Sequence, residues 1–258
     1  MTLPGDGAPG ARHALAILQH LGRQRGPVSA ASVAEALGLP RSSVYRLLGA
    51  LQEQGFALHY PQSRRYGIGV AAFELSAGYS RQAPLTRLGG PVLAGLVDRV
   101  GESGHLATLH GREVLYLLEE RAPRRPSLVT DVGVRLPAHL TASGRAMLAA
   151  LPKAQVRALY PDAVAFARRG DGGIDSYGAL TRMLVAVRAA GHAEEDGEIT
   201  PGLASVAVAI REPSGWPEAA VAVTFAVDTA ASEVAEMVHE IAQAAQELER
   251  RLHGHAAR

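Results

Sequence analysis

The chain has 258 residues, enough for one large domain or for two ordinary ones, each with its own core. With 47% hydrophobic and 20% charged residues, it has the composition of a folded chain and not of a disordered one. The lack of cysteine excludes disulfides and thiolate metal sites. The first residues do not have the charged-then-apolar layout of a signal peptide, and no uncharged apolar run of about 18 residues offers a membrane span. A cytoplasmic protein without membrane contact is expected. The net charge of +1 hides an asymmetry: residues 1–70 hold seven Arg against Asp6, Glu35 and Glu53, while the rest holds 19 basic against 22 acidic side chains. A head of net +4 on a body of net −3 points to a polyanionic partner for the head alone.

Residues 1–10 show no periodicity and are expected to be disordered. From residue 11 to 21, Leu15, Ile17, Leu18 and Leu21 follow helical spacing, and Gly22 ends the run. Ser29 stands where an N-cap belongs, a short second helix closes at Gly38, and Pro40 suits the first position of a third. In that third helix Val44, Leu47, Leu48 and Leu51 fall at i, i+3, i+4 and i+7 and must face a core. The opposite face then carries Ser42, Arg46 and Gly49, with Ser43 and Tyr45 on its flanks. Small residues, hydroxyls and one Arg at a helix start can approach a major groove and donate to phosphates and base edges. Arg41, Ser42, Ser43, Tyr45 and Arg46 are therefore the candidate DNA contacts on this helix. After Gly55 the period becomes two: Phe56, Leu58 and Tyr60 alternate, residues 61–63 turn, and Tyr66 and Ile68 lead back. Arg64 and Arg65 at the tip complete the DNA-contacting set. Residues 11–69 read as a winged helix-turn-helix. Such modules also dock proteins, and two adjacent Arg also suit a solvated turn; a Ser/Arg face opposite an apolar one is what a recognition helix requires.

Residues 70–82 have helical spacing and read as a linker helix, with a break at Pro84. Residues 83–253 then form a second domain. Two strands, 103–110 and 113–121, join at Gly111 and Arg112, and 128–130 is a short strand. Thr141 can cap a helix over 142–150. Residues 176–190 form an amphipathic helix with Leu180, Met183, Leu184 and Val187 inward and Gly191 at its end. Strands follow at 203–210 and 219–227, and a last helix covers about 230–253. A largely antiparallel sheet with helices on its faces gives an α+β domain.

The start of the 142–150 helix is a ready anion site, because its first amides have no intrahelical partner and Ala142, Ser143 and Gly144 leave them open. The same residues also describe an ordinary capped helix. Catalysis finds no support: there is no nucleophile elbow, and Ser143 has no His partner beyond His139 four residues upstream. His105 and His110, five apart on a strand, point to opposite faces. His192 with Glu194, Glu195, Asp196 and Glu198 could hold a divalent ion, but such a stretch reads first as a solvated acidic loop. No catalytic residue, metal or cofactor is expected. A body that only mediates assembly is the third reading; a pocket filled by apolar side chains would mark it.

Several segments together resemble the IclR-type transcriptional regulators. These are 14–21 (ALAILQHL), 33–56 (VAEALGLPRSSVYRLLGALQEQGF), 66–69 (YGIG), 135–152 (RLPAHLTASGRAMLAALP) and 191–210 (GHAEEDGEITPGLASVAVAI). The resemblance runs from about residue 11 to 252. It implies a GAF-like or PAS-like effector domain without catalysis, and a linker helix that helps pair subunits. It also implies a homodimer or dimer of dimers on a roughly palindromic double-stranded DNA operator, acting more often as a repressor. It implies further that a small, anionic organic effector sits on the amides of Ala142, Ser143 and Gly144. The family's pocket positions fall on Leu128, Ala142, Ser143, Glu195, Ser205 and Thr224. One position departs from the pattern: Ala226 stands where the family has a second hydroxyl.

Overall fold

Pro9 opens the first helix, α1 (Pro9–Gly22), since a proline gives up nothing in a first turn, where its N–H would be unpaired. The helix thus begins inside the stretch expected to be disordered. The computed structural model describes residues 8–75, 84–123, 125, 130–167 and 173–254. It divides into two compact units, residues 1–82 and 83–258.

In the first unit, α1 is followed by β1 (Val28–Ser29), α2 (Ala30–Leu37), α3 (Arg41–Glu53), β2 (Ala57–Tyr60) and β3 (Arg65–Ile68). Helical residues 70–75, the described part of α4, come next. Ser29 caps α2, its Oγ accepting from Ser32 N–H at 3.1 Å, and Gly38 ends the helix with a positive φ of 63°. Pro40 is the N-cap of α3, one position earlier than the sequence implied. The core consists of Ile17, Leu21, Val33, Val44, Leu48 and Leu51 with smaller neighbours. Leu15, assigned to this face from its spacing, is 60% exposed. The three short strands form an antiparallel sheet in the order β1-β3-β2. In the wing Ala57 is buried while Leu58, Tyr60 and Ile68 are exposed, so of the alternating residues read from the sequence only Phe56 and Tyr66 pack against the core.

The second unit runs α5 (Pro84–Val100), β4 (Ser103–His110), β5 (Glu113–Glu120), β6 (Arg135–Pro137), a 3-10 turn (Ala138–Leu140), α6 (Ala142–Ala150) and α7 (Lys153–Leu159). It continues with α8 (Tyr177–Ala190), β7 (Ala193–Asp196), β8 (Leu203–Arg211), β9 (Pro217–Ala226) and α9 (Ala231–His253). Six antiparallel strands lie in the order β6-β5-β4-β9-β8-β7. One face packs on α5 and α9 through Leu93, Leu96, Val221, Val223, Ile241 and Leu248. Met147, Leu148, Leu180 and Leu184 of α6 and α8 cover the other with Val114 and Tyr116. Leu128 and Val129 of the expected short strand lie outside the described residues, as do 76–82 of the linker, while Thr130 is not in a strand. The stretch read as an acidic loop is strand β7, paired with β8.

Helix α6 sits close on the sheet because the contact is made of alanines: Ala142 and Ala146 on the helix meet Ala207, Ala209 and Ala222 on the strands. Its N-terminus is equally tight. A Cβ at Gly144 would lie 2.1 Å from the carbonyl oxygen of Ala138. Gly144→Ala is therefore expected to cost about 3 kcal/mol or more, read as a lower midpoint of urea unfolding, through backbone displacement and not through helix propensity.

Candidate functional site

The first unit presents the surface that the sequence assigned to DNA. Along α3, Val44 and Leu48 are buried, while Arg41, Ser42, Tyr45 and Arg46 are exposed and Ser43 and Gly49 are half-buried. The two faces follow from apolar residues at three- and four-residue spacing. At the wing, residues 61–64 form the turn and Arg64 holds a positive φ of 52°, a backbone state a non-glycine residue adopts at a cost. Arg65 is not at the tip. It is the first residue of β3, and its Nη1 donates to the carbonyl oxygen of Pro27 at 3.3 Å. Arg64 is the wing's projecting cation.

In the second unit the start of α6 meets β4, β5, β7, β8 and β9 around a small cavity of about 20 Å³, room for roughly one water. Five residues that the family resemblance assigns to a pocket line it: Ala142, Ser143, Glu195, Ser205 and Thr224. Strand register explains three of them. Glu195 stands opposite Ser205 and Ser205 opposite Thr224, so one row across three strands carries three polar side chains to one face. The Ser205 and Thr224 hydroxyls are 3.0 Å apart. Gly144 does not join them. Its N–H donates to Thr141 Oγ1 at 3.0 Å and it faces Ala138, so Ala142 and Ser143 keep the available first-turn amides. Leu128 lies outside the described residues. Ala226 pairs with Leu203 away from the cavity lining.

His105, Tyr116 and Thr130 close the opposite wall and were missed from the sequence. The available signal was a histidine beside Leu106 in a strand otherwise rich in apolar residues. His105 is 1% exposed, and burial, reinforced by the charge of Arg121, lowers its pKa to about 4, so the ring is neutral near pH 7. Its Nε2 lies 2.7 Å from Thr130 Oγ1. Burial also raises the Tyr116 phenol, with Glu195 adding to the effect and a hydrogen bond with Ser143 opposing it. Glu195 is 4% exposed and its carboxyl is raised above the usual range, chiefly by burial. A hydrogen bond from Ile199 N–H holds it down; Glu198 pushes it further up, and Arg145 and Ser205 oppose that. The cavity is a small, polar site with amide donors at one end and a carboxyl and an imidazole among its walls.

A winged helix-turn-helix with an exposed Ser/Arg helix face, carried with an α+β domain around a buried polar pocket, defines a DNA-binding regulator. Residues 77–250 match the family described as "Bacterial transcriptional regulator IclR C-terminal", and residues 10–59 match the "IclR helix-turn-helix domain". The chain belongs to the IclR family of transcriptional regulators. It is 31% identical over 215 residues to the glycerol operon regulatory protein of Streptomyces coelicolor, covering 83% of this chain and 84% of that one. To the HTH-type transcriptional repressor AllR of Klebsiella pneumoniae it is 27% identical over 218 residues, 84% of this chain and 80% of that one. Among solved structures, an IclR regulator from Alicyclobacillus acidocaldarius superposes with a TM-score of 0.86 at 22% identity, covering 95% of this chain and 99% of that one. An IclR homologue from Microbacterium hydrocarbonoxydans, complexed with 4-hydroxybenzoate, superposes with a TM-score of 0.83 at 24% identity and the same coverage. No helix among the described residues is long and apolar enough to cross a membrane.

The buried neutral His105 makes stability pH-dependent. Its folded pKa is depressed, so it contributes stability that is present above pH 6.5 and lost as pH falls toward about 4, where the unfolded ring takes a proton that the folded ring refuses. The loss is on the order of 3 kcal/mol across that window. In urea titrations between pH 7 and pH 4, His105→Gln is expected to lack this component. Its stability gap from the parent therefore narrows as the pH falls.

Proposed function

We propose that the chain is a cytoplasmic repressor that binds a roughly palindromic operator as a homodimer or dimer of dimers, and that a small organic carboxylate bound at the start of α6 controls it. The observation that carries this reading is the convergence of Ala142, Ser143, Glu195, Ser205 and Thr224 on one buried polar cavity at a helix N-terminus. Their chemistry fits a ligand with two unlike ends. Amides of Ala142 and Ser143 suit an acid group. Glu195 disfavours a second negative charge, so the far end of the ligand carries a hydroxyl or an amine that donates to it. The 4-hydroxybenzoate bound to the Microbacterium homologue has a carboxylate at one end and a hydroxyl at the other. Subunit pairing is supported by Val70, Phe73 and Leu75, which are 67%, 72% and 63% exposed on one short helical stretch and need a cover.

At the DNA, Arg46 reads a base and Arg64 reads the backbone. Arg46→Ala is expected to cost about 1–3 kcal/mol on the operator and far less on random DNA, measured by fluorescence anisotropy at fixed salt. Equal losses on both sequences would make Arg46 a phosphate contact. Arg64→Gly removes the strained backbone state while removing a cation, so it is expected to hold or raise thermal stability, weaken binding to all sequences and flatten the salt dependence. Loss of sequence discrimination in that variant would contradict the assignment.

Ser143→Leu fills the space in front of the first-turn amides. It is expected to abolish the effector response while leaving operator affinity intact, with calorimetric titration of 4-hydroxybenzoate and other hydroxylated carboxylates as the readout. If a compound binds parent and variant equally well, the effector site lies elsewhere.

A further inference from the structure

A cavity of about 20 Å³ cannot hold an organic carboxylate, so a wall must move, and the walls are not held alike. His105, Tyr116, Ser205 and Thr224 stand on paired strands. Thr141, Ala142 and Ser143 belong to the buried, capped start of α6. Thr130 is held from inside by His105. Ile199 is different. It lines the cavity from residues 197–202, which connect the edge strand β7 to β8 without strand pairing. That strap is bounded by Gly197 and Gly202, with positive φ values of 75° and 83°, conformations that glycine adopts and leaves at little cost.

Backbone bonds close its ends, from Gly197 N–H to the Leu203 carbonyl at 3.0 Å and from Val227 N–H to the Gly202 carbonyl at 3.1 Å, and side chains fasten the middle. Ile199 N–H donates to Glu195 Oε1 at 2.9 Å, and Glu198 Oε2 accepts from Asp196 N–H at 2.8 Å. The other Glu198 oxygen accepts from Arg145 Nη2 at 2.5 Å. Arg145 is a fixed post: its Nε donates to the His139 carbonyl at 2.9 Å and its Nη1 to the Glu194 carbonyl at 2.6 Å. Its side chain is 7% exposed, against 21% for Glu198. Glu198 is thus the strap's own ionic tie to α6, and it touches the pocket only through what it holds in place.

We propose that Arg145 and Glu198 are positioning residues of the effector site, their ion pair latching residues 197–202 as the pocket's removable wall, so that the effector passes where this latch opens. The inference rests on reading the cavity as the effector site. It makes that site depend on a contact outside the pocket lining. It also gives Glu195 two tasks, facing the ligand and holding Ile199, so a ligand that engages Glu195 competes with a strap contact.

The chain's lack of cysteine allows a test that needs no effector. Ser205→Cys places a single thiol inside the pocket, and its alkylation by iodoacetamide reports how often the wall opens. Val164→Cys, at a residue 91% exposed, gives the rate of an open thiol. The pocket thiol is expected to react far more slowly than the open one. Adding Glu198→Gln is expected to speed it about tenfold or more and to leave the Val164→Cys rate unchanged. Hydrogen exchange at Gly197, Ile199 and Leu203 should accelerate in parallel, with β4 unaffected. Equal pocket rates with and without Glu198→Gln overturn the latch. Should Glu198→Gln fail to fold, exchange on the Ser205→Cys chain decides. An Ile199 amide that opens at the alkylation rate and ahead of β8 and β9 supports the latch, and one that exchanges only together with those strands overturns it. If the latch variants behave as expected while Ser143→Leu leaves effector binding intact, the latch stands and the effector reading falls.

Discussion

The close seating of α6 on the sheet is the constraint on which the second domain depends. A helix can approach strands this nearly only where side chains are short, and here Ala142 and Ala146 rest on Ala207, Ala209 and Ala222. The same approach brings the Ala138 backbone so near Gly144 that no Cβ fits between them. Thr141 then caps the helix with its own hydroxyl. A larger residue at any of these alanines would lift the helix and widen the space under its first turn. The pocket exists because the helix begins directly above the row of Glu195, Ser205 and Thr224.

That row places polar groups where water is scarce, and the surrounding structure answers each one. His105 is neutral and bonded to Thr130. Ser205 and Thr224 satisfy each other. Glu195 takes the Ile199 amide. Arg145, buried on the second turn of α6, spends its guanidinium on two carbonyls and one carboxylate. Leaving any of these unpaired would cost more than the bond itself contributes. A ligand in this space must therefore replace bonds that already exist, which makes the site selective for donors and acceptors in a particular order.

The head works by a different economy. Its core is small, and one face of α3 is left outside it, with hydroxyls and Arg46 exposed at the helix start. Affinity for a polyanion comes from cations, while discrimination needs side chains that meet base edges. An effector can change this affinity only by binding two arrangements of the assembly unequally. Val70, Phe73 and Leu75 stand exposed on the stretch that follows the wing.

Residue pattern alone was enough for most of the architecture. The apolar spacing of Val44, Leu48 and Leu51 produced α3 and its outer face, and the caps Ser29, Thr141 and Gly191 marked helix ends, because these signals are local. Ser143, Glu195, Ser205 and Thr224 came from the family resemblance and not from any local pattern. Strand register decided what local signals cannot. It turned Leu58 and Tyr60 outward, made the acidic stretch a strand in which Glu195 is buried while Glu194 and Asp196 are exposed, and brought His105 and Tyr116 to the far wall, where His105 in turn holds Thr130. Gly144 left the ligand-facing set for a tertiary reason as well: its amide went to Thr141 and its missing side chain to Ala138. Periodicity tells a residue that it has two faces; only pairing with a neighbour, often a hundred residues away, tells it which face is buried.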